Sequence, residues 1–278
     1  NKNLFYGQYT RNESYFDNNP EMKASGLPEG PVKSLLTTLK KKYGSSYVPK
    51  TSITKPVGTP GQGIPIQQNI QIANTLLDSA GWKIGSDGIR VKNGERMAVK
   101  LILNSPLFQR IVEPYKNNLK KIGIEMNIEV VQIAKYEEVL RNFNFDMIVA
   151  NYPQSRSPGN EQRSMWSSEA EKTPGSRNYM GVKNPAIDEL IEIIVKAKSR
   201  NELIHAIQAM DRILTHQFYI VPNWYTSYDR VVYWNKFSRP KINASQAVIQ
   251  NNILEWWWLD TKKSKQLKQA RNSGSSLQ

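Results

Sequence analysis

Between Ala150 and Ser167 the chain reads N-Y-P-Q-S-R-S-P-G-N-E-Q-R-S-M-W, which crowds Tyr152, Gln154, Ser155, Arg156, Asn160, Glu161, Gln162, Arg163 and Trp166 into one stretch. Amide side chains both donate and accept hydrogen bonds, guanidinium groups only donate, and aromatic rings offer a face to stack on. That mixture suits a ligand with many backbone-like donors and acceptors, of which a peptide is one. A second polar loop, G-S-R-N-Y, brings Ser176, Arg177, Asn178 and Tyr179, and further on Trp224 and Tyr225 add two more aromatic rings. A solvated turn accounts for any of these residues taken singly. The two loops together, if both stand at strand ends, leave a recognition surface open beside that plain reading.

Residue types that would make the chain an enzyme are scarce. No G-x-G-x-x-G, P-loop or G-x-S-x-G pattern occurs. Cysteine is absent, which removes disulfides, thiolate metal sites and cysteine nucleophiles together. His205 and His216 stand about three turns apart on one helical pattern, where structural or solvated roles are expected of both. Glu161 and Glu169 are the one carboxylate pair worth naming, and their separation is not readable from sequence. No cofactor and no metal are expected. A hydrolase acting on peptides or glycans stays as a rival, to be favoured by an acid, a base and a nucleophile found in one place.

The chain has 278 residues, long enough for one large domain or two modest ones. Its formal net charge of +14 invites a nucleic-acid or cell-surface role. The distribution argues otherwise: Lys40 to Lys42 lies in an irregular region, Lys262 to Arg271 forms a tail, and other cations are scattered among acids. No basic stripe interleaved with aromatics is present, so no nucleic-acid partner is expected. No run approaches the roughly 18 apolar residues of a membrane helix, so no membrane insertion is expected either. The start, N-K-N-L-F-Y, has neither an initiator Met nor a signal peptide's apolar core, which fits a processed chain or a piece of a longer one.

The elements that must position the polar loops follow from periodicity. Residues 1–65 are rich in Pro, Gly, Asn and Ser and read as irregular. Ile66, Ile70, Ala73, Leu76, Leu77 and Ala80 keep helical spacing up to Gly81. Arg96 to Leu103 reads as a strand, and Phe108, Ile111, Val112, Tyr115, Leu119 and Ile122 as a helix that Pro114, inside it, should bend. Ile124 to Val131 alternates with period two, Tyr136 to Phe143 reads as a short helix, and Phe145 to Tyr152 as a third strand. Strand, helix, strand, helix, strand predicts an α/β unit with a mostly parallel sheet flanked by helices. Ligands collect beyond the carboxyl ends of such strands, which is where Tyr152 and its loop would stand. Downstream, Asn184-Pro185 opens one helix and the capping box Ser199 to Glu202 another, and Tyr219 to Tyr225 and Arg230 to Trp234 look β-like.

Several separate motifs occur in an order that resembles a known family. They are L-F-Y-G-Q-Y-T-R-N-E-S-Y-F-D-N, S-P-G-N-E-Q, G-S-R-N-Y-M-G-V-K-N-P-A-I-D-E-L-I-E, Y-I-V-P-N-W-Y, V-V-Y-W-N-K-F and W-W-W-L-D. Together they resemble the periplasmic extracellular solute-binding proteins of the oligopeptide and dipeptide class, family 5, and within it the YejA-like branch associated with uptake of oligopeptides and microcin C. The resemblance spans about residues 3–260. It implies two lobes that close on a peptide and deliver it to the membrane permease of an ABC importer, without catalysis, in the periplasm.

On that resemblance the chain is the C-terminal half of such a protein. Residues 1–65 would lie near the hinge and 66–235 would form the ligand-binding lobe. Residues 236–260 would cross toward the N-terminal lobe, and 261–278 would be a basic, mobile tail. Tyr152, Gln154, Ser155 and Arg156 would line the cleft, Asn160, Glu161, Gln162 and Arg163 would line or brace it, and Trp166 would buttress the loop. Ser176, Arg177, Asn178 and Tyr179 would form a second wall, with Trp224 and Tyr225 stacking on ligand side chains. Better-known members bind the peptide's free amine with an aspartate after the third strand, and here Gln154 takes that place. An oligopeptide blocked or modified at its amino end, or one held there by Glu161, is the ligand this departure implies.

Overall fold

The computed structural model describes residues 2–49, 63–226, 228, 231–241 and 257–276. The chain divides into two units: Asn1–Gly7 with Arg11–Trp224, and Gln8–Thr10 with Tyr225–Gln278.

In the first unit, helix α1 (Gly30–Tyr43) is followed by α2 (Ile66–Ser79) and an antiparallel ribbon of β1 (Lys83–Ile84), β2 (Arg90–Lys92) and β3 (Glu95–Arg96). The parallel sheet comes next: β4 (Ala98–Leu103), α3 (Gln109–Lys120), β5 (Glu125–Val130), α4 (Ile133–Arg141) and β6 (Met147–Ile148). Its order is β5-β4-β6, with Ala98 opposite Glu125, Leu103 opposite Val130 and Leu101 opposite Met147. Because β5 and β6 lie on opposite sides of β4, right-handed crossovers put α3 and α4 on opposite faces. The side chains follow this. Leu101, Leu103 and Met126 pack with Val112 of α3, whereas Ile102 packs with Tyr136 and Val139 of α4. The direction of winding reverses between β4 and β6, and at their carboxyl ends such a reversal opens a crevice.

Local chemistry explains the joints. Gly123, between α3 and β5, has φ +78°, and a Cβ there would stand 2.6 Å from Ile84 Cδ1, so no other residue fits unstrained. Arg90 is buried, yet its guanidinium is satisfied by Ile122 O, Trp82 O, Asp78 and Asn74. That one side chain ties α2 and the ribbon to the end of α3. Helix α3 runs through Pro114, as the sequence predicts.

The larger core lies after the sheet. It joins α5 (Glu161–Trp166), α6 (Pro185–Lys196) and α7 (Arg200–His216) to α1 and to residues 15–48, with Trp166, Phe16, Leu36, Leu39, Leu190 and Met210 almost wholly buried. Asn184 caps α6 by accepting from Ala186 N at 2.9 Å, and Ser199 caps α7 by accepting from Glu202 N at 3.2 Å. Here the sequence reading needs correcting. Residues 1–65 are not irregular throughout, because α1 buries Val32, Leu36 and Leu39 in this core. The third strand is paired only over Met147–Ile148, and the β-like run 219–225 only over Trp224–Tyr225. Residues 231–234 form no strand, while residue 230 of that run lies outside the described residues.

In the second unit β7 (Phe237–Ser238) pairs antiparallel with β8 (Trp258–Leu259). Asp260 then caps α8 (Thr261–Ser273), and Gly274 ends it in the left-handed region. The basic tail is therefore helical through Ser273. Trp256 and most of the crossing segment 236–260 lie outside the described residues. Among the described residues no helix is long and apolar enough to cross a membrane.

Candidate functional site

The polar loop leaves β6 and folds back on the large core through Trp166. This tryptophan is wholly buried, stacks on Tyr152 at 4.9 Å between centroids and meets Tyr15 edge-on at 5.3 Å. Its indole N–H donates to Gln162 Oε1 at 2.8 Å, and Gln162 Nε2 donates to Gln154 Oε1 at 2.7 Å. Gln154 Nε2 ends the chain against the Met165 sulfur at 3.9 Å. A buried amide must find partners for both its ends, and two facing glutamines between a sulfur and an indole do so. The loop is thereby pinned from inside.

The second loop is pinned in the same manner. Asn178 is fully buried. It donates to Ser167 O at 3.0 Å and Val182 O at 2.8 Å, and accepts from Val182 N at 2.8 Å. Ser176, also buried, donates to Ala170 O at 2.6 Å. Between the two loops, Tyr152 donates its hydroxyl proton to Arg177 O at 2.9 Å, and the Arg177 guanidinium lies 5.4 Å over the Tyr152 ring. Burial raises the Tyr152 phenol further above its usual range, so this tyrosine is a neutral donor at any physiological pH. Tyr179 adds an edge-on ring 6.2 Å from Tyr152.

The structure thus sorts the predicted site residues. Tyr152, Ser155, Arg156, Asn160, Glu161, Arg163, Arg177 and Tyr179 keep part of their surface in solvent. Gln154, Gln162, Trp166, Ser176 and Asn178 face inward. For Gln154, Ser176 and Asn178, expected on the cleft wall, the polar side chains instead hold the two loops in shape. Arg163 pairs with Glu192 on α6, whose carboxyl is held down to about 2 by Arg163 and Lys196. Glu161 accepts from Gly159 N at 3.0 Å and from Gln162. Trp224 lies 4.7 Å from Phe5 and 6.3 Å from Phe108, the latter just beyond the carboxyl end of β4. Tyr225 belongs to the second unit.

Sequence reasoning missed the part played by residues 14–24. Asn18 Nδ2 donates to Gln154 O at 2.6 Å and Asn19 Nδ2 to Ser155 O at 2.7 Å. The strap is itself held by Asp211 of α7, a fully buried carboxylate that accepts from Ser14 Oγ, Tyr15 N and Ala24 N. Burial pushes the Asp211 carboxyl up to about 6 against the pull of these donors. The one available sequence signal was Asp211 itself, a charge standing beside Met210 in an apolar stripe. Among the described residues no group of three or more His, Cys, Asp or Glu could hold a metal ion.

The site thus comprises a parallel sheet with a winding reversal and two polar loops, after its third strand, braced from within. The chain belongs to the bacterial extracellular solute-binding proteins of family 5, whose middle-region model matches residues 36–174, half of the chain. It is 34% identical over 93% of its length to a probable peptide-binding protein, YejA, of Agrobacterium fabrum, and covers 41% of that protein. It is 31% identical, again over 93% of its length, to the peptidoglycan-binding protein YepA of the same organism, and covers 41% of it. The chain therefore spans about two fifths of the length of these curated relatives. Among solved structures, the oligopeptide-binding protein AppA of Bacillus subtilis, in complex with a nonapeptide, superposes with a TM-score of 0.56. That likeness covers 91% of this chain and 52% of AppA at 20% identity, which speaks to the fold.

Proposed function

We propose that this chain is the C-terminal, ligand-gripping lobe of the substrate-binding component of an ABC importer for oligopeptides or modified peptides. The observation that carries the reading is the pair of braced polar loops following β6 in a chain of this family. Their exposed members, from Tyr152 to Arg163 and from Arg177 to Tyr179, are the groups we assign to the ligand, with Trp224 stacking on its side chains. Gln154, Gln162, Trp166, Ser176 and Asn178 serve by holding those groups still, since a site on loops is only as sharp as its supports.

Its partners in this reading are an N-terminal lobe of the same protein, which supplies the opposite jaw, and the membrane permease that receives the ligand in the periplasm. Exposed Val232, Tyr233 and Trp234, together with Trp258 and Leu259, give the second unit apolar surface suited to cover by that lobe. The relative named for peptidoglycan binding puts cell-wall peptides within the range of ligands, and microcin C, a modified peptide, falls in the same chemical class. Mass spectrometry of small molecules co-purifying with the intact two-lobe protein tests this directly: peptides are expected, and a non-peptide ligand throughout would overturn it. Closure needs two lobes, so this chain alone is expected to bind peptides too weakly to detect by calorimetry. Micromolar affinity of the isolated chain would contradict the two-jaw account.

A further inference from the structure

In the segment leaving β6, the carbonyls of Asn151 and of residues 154–156 accept from side chains elsewhere in the chain. Arg177 Nη2 donates to Asn151 O at 2.6 Å, Asn18 to Gln154 O at 2.6 Å and Asn19 to Ser155 O at 2.7 Å. Arg200 of α7 donates to Arg156 O. The side-chain carbonyl of Gln154 is engaged as well, by Gln162. No described group accepts from the N–H of Ser155 or Arg156, and both residues are exposed. A backbone stretch whose carbonyls are closed and whose amides are open presents donors to a ligand and few acceptors.

The charges agree with that polarity. Arg156 and Arg177 have no carboxylate within 4.0 Å among the described residues, while Arg163 and Arg200 are neutralised by Glu192 and Glu21. Glu161 is the one acid of this loop, and it already accepts from Gly159 N and from Gln162. The Arg156 guanidinium, with no carboxylate partner and next to amides that no described group accepts from, favours an anion, because hydrogen bonds to an ionised acceptor are the strong ones. An ammonium here would meet the Arg156 guanidinium and two N–H donors, while the Ser155 hydroxyl already accepts from Ser157 N.

Resting on the peptide-binding reading above, we propose that residues 154–156 take the ligand's C-terminal carboxylate, and that a free amino end is not required there. The amides of Ser155 and Arg156 and the Arg156 guanidinium hold the carboxylate oxygens. Asn18, Asn19 and Arg200 are positioning residues that keep the competing carbonyls closed.

The experiment offers the ligand-free two-lobe protein three random tetrapeptide pools: free at both ends, N-acetylated, and C-amidated. Bound peptides are counted by mass spectrometry. The N-acetylated pool is expected to be retained within about twofold of the free pool, and the C-amidated pool about tenfold less, the scale of one charge-assisted contact. Arg156→Gln is expected to shrink that free-over-amidated preference to about twofold without moving the melting temperature. A strict need for the free amine, indifference to amidation, or a preference that survives Arg156→Gln would each overturn the assignment while leaving peptide binding in place. Retention of none of the pools would instead overturn the peptide-binding reading on which the assignment rests.

Discussion

The sheet region, residues 98–149, and the region built from residues 12–48 and 152–220 are stabilised in different ways. In the sheet region β4, α3, β5, α4 and β6 follow one another along the chain, β6 returns to pair with β4, and the two side-chain clusters are apolar. The other region closes around polar side chains whose partners lie far along the chain, such as Asp211 with Ser14 and Asn18 with Gln154, 197 and 136 residues apart. The first gives a rigid platform. The second gives two loops whose shape depends on a few buried hydrogen bonds, and those loops carry the proposed contacts with ligand.

The largest test of this contrast is Trp166→Ala. It removes a fully buried ring from both Tyr15 and Tyr152 and leaves the Gln162–Gln154 pair without its indole donor. A loss of about 3–5 kcal/mol is expected in chemical denaturation. A cost under about 1 kcal/mol would mean that the loop is not seated as described.

Asp211 supplies a pH signature for the region closed by the strap. Its folded pKa of about 6 stands above the ordinary unfolded value, so the folded chain holds this proton more tightly. The stability contributed by that proton is fully present below about pH 4 and is lost as pH rises toward 6. Measured as the difference between wild type and Asp211→Asn, which cannot titrate, the change across that window is expected to be about 3 kcal/mol against the wild type. A flat difference would place Asp211 in a wetter setting than the strap gives it.

Smaller effects sharpen the same point. Asn178→Ala leaves the Val182 N–H and the carbonyls of Ser167 and Val182 short of a partner, for an expected loss of about 2 kcal/mol by thermal unfolding. Its local signature is faster hydrogen exchange at Val182 N, with the β4 amides unchanged. Asn184→Ala removes the cap of α6 and a bond to Tyr47 O, for about 1 kcal/mol. Equal effects of Asn178→Ala on both regions would erase the distinction between them.

That distinction also explains what could be read in the sequence. Period-two runs such as E-M-N-I-E-V and the helical spacing of α3 announce the sheet region, because local pattern and tertiary contact coincide there. Asn184-Pro185 and Ser199 with Glu202 announced α6 and α7 for the same reason, since a cap is a local hydrogen bond. Helix α1 escaped because K-S-L-L-T-T-L-K-K-K follows a Pro- and Gly-rich lead and its apolar stripe is narrow. The polar loops were found by composition, yet composition does not say which way an amide points. Gln154 and Asn178 look the same in sequence as Ser155 and Asn160, and only their folded-state partners Gln162 and Val182 separate brace from surface. The strap of residues 14–24 was illegible for the same reason: nothing local links Asn18 to Gln154.

The central claim is that the loops after β6 hold a peptide. Hydrogen exchange on the two-lobe protein, with and without the peptide pool it retains, reads this most directly. Bound peptide is expected to protect the amides of Ser155, Arg156 and the 176–180 loop, while those of β4 and β5 change little. Peptide binding that leaves both loops unprotected would contradict the account.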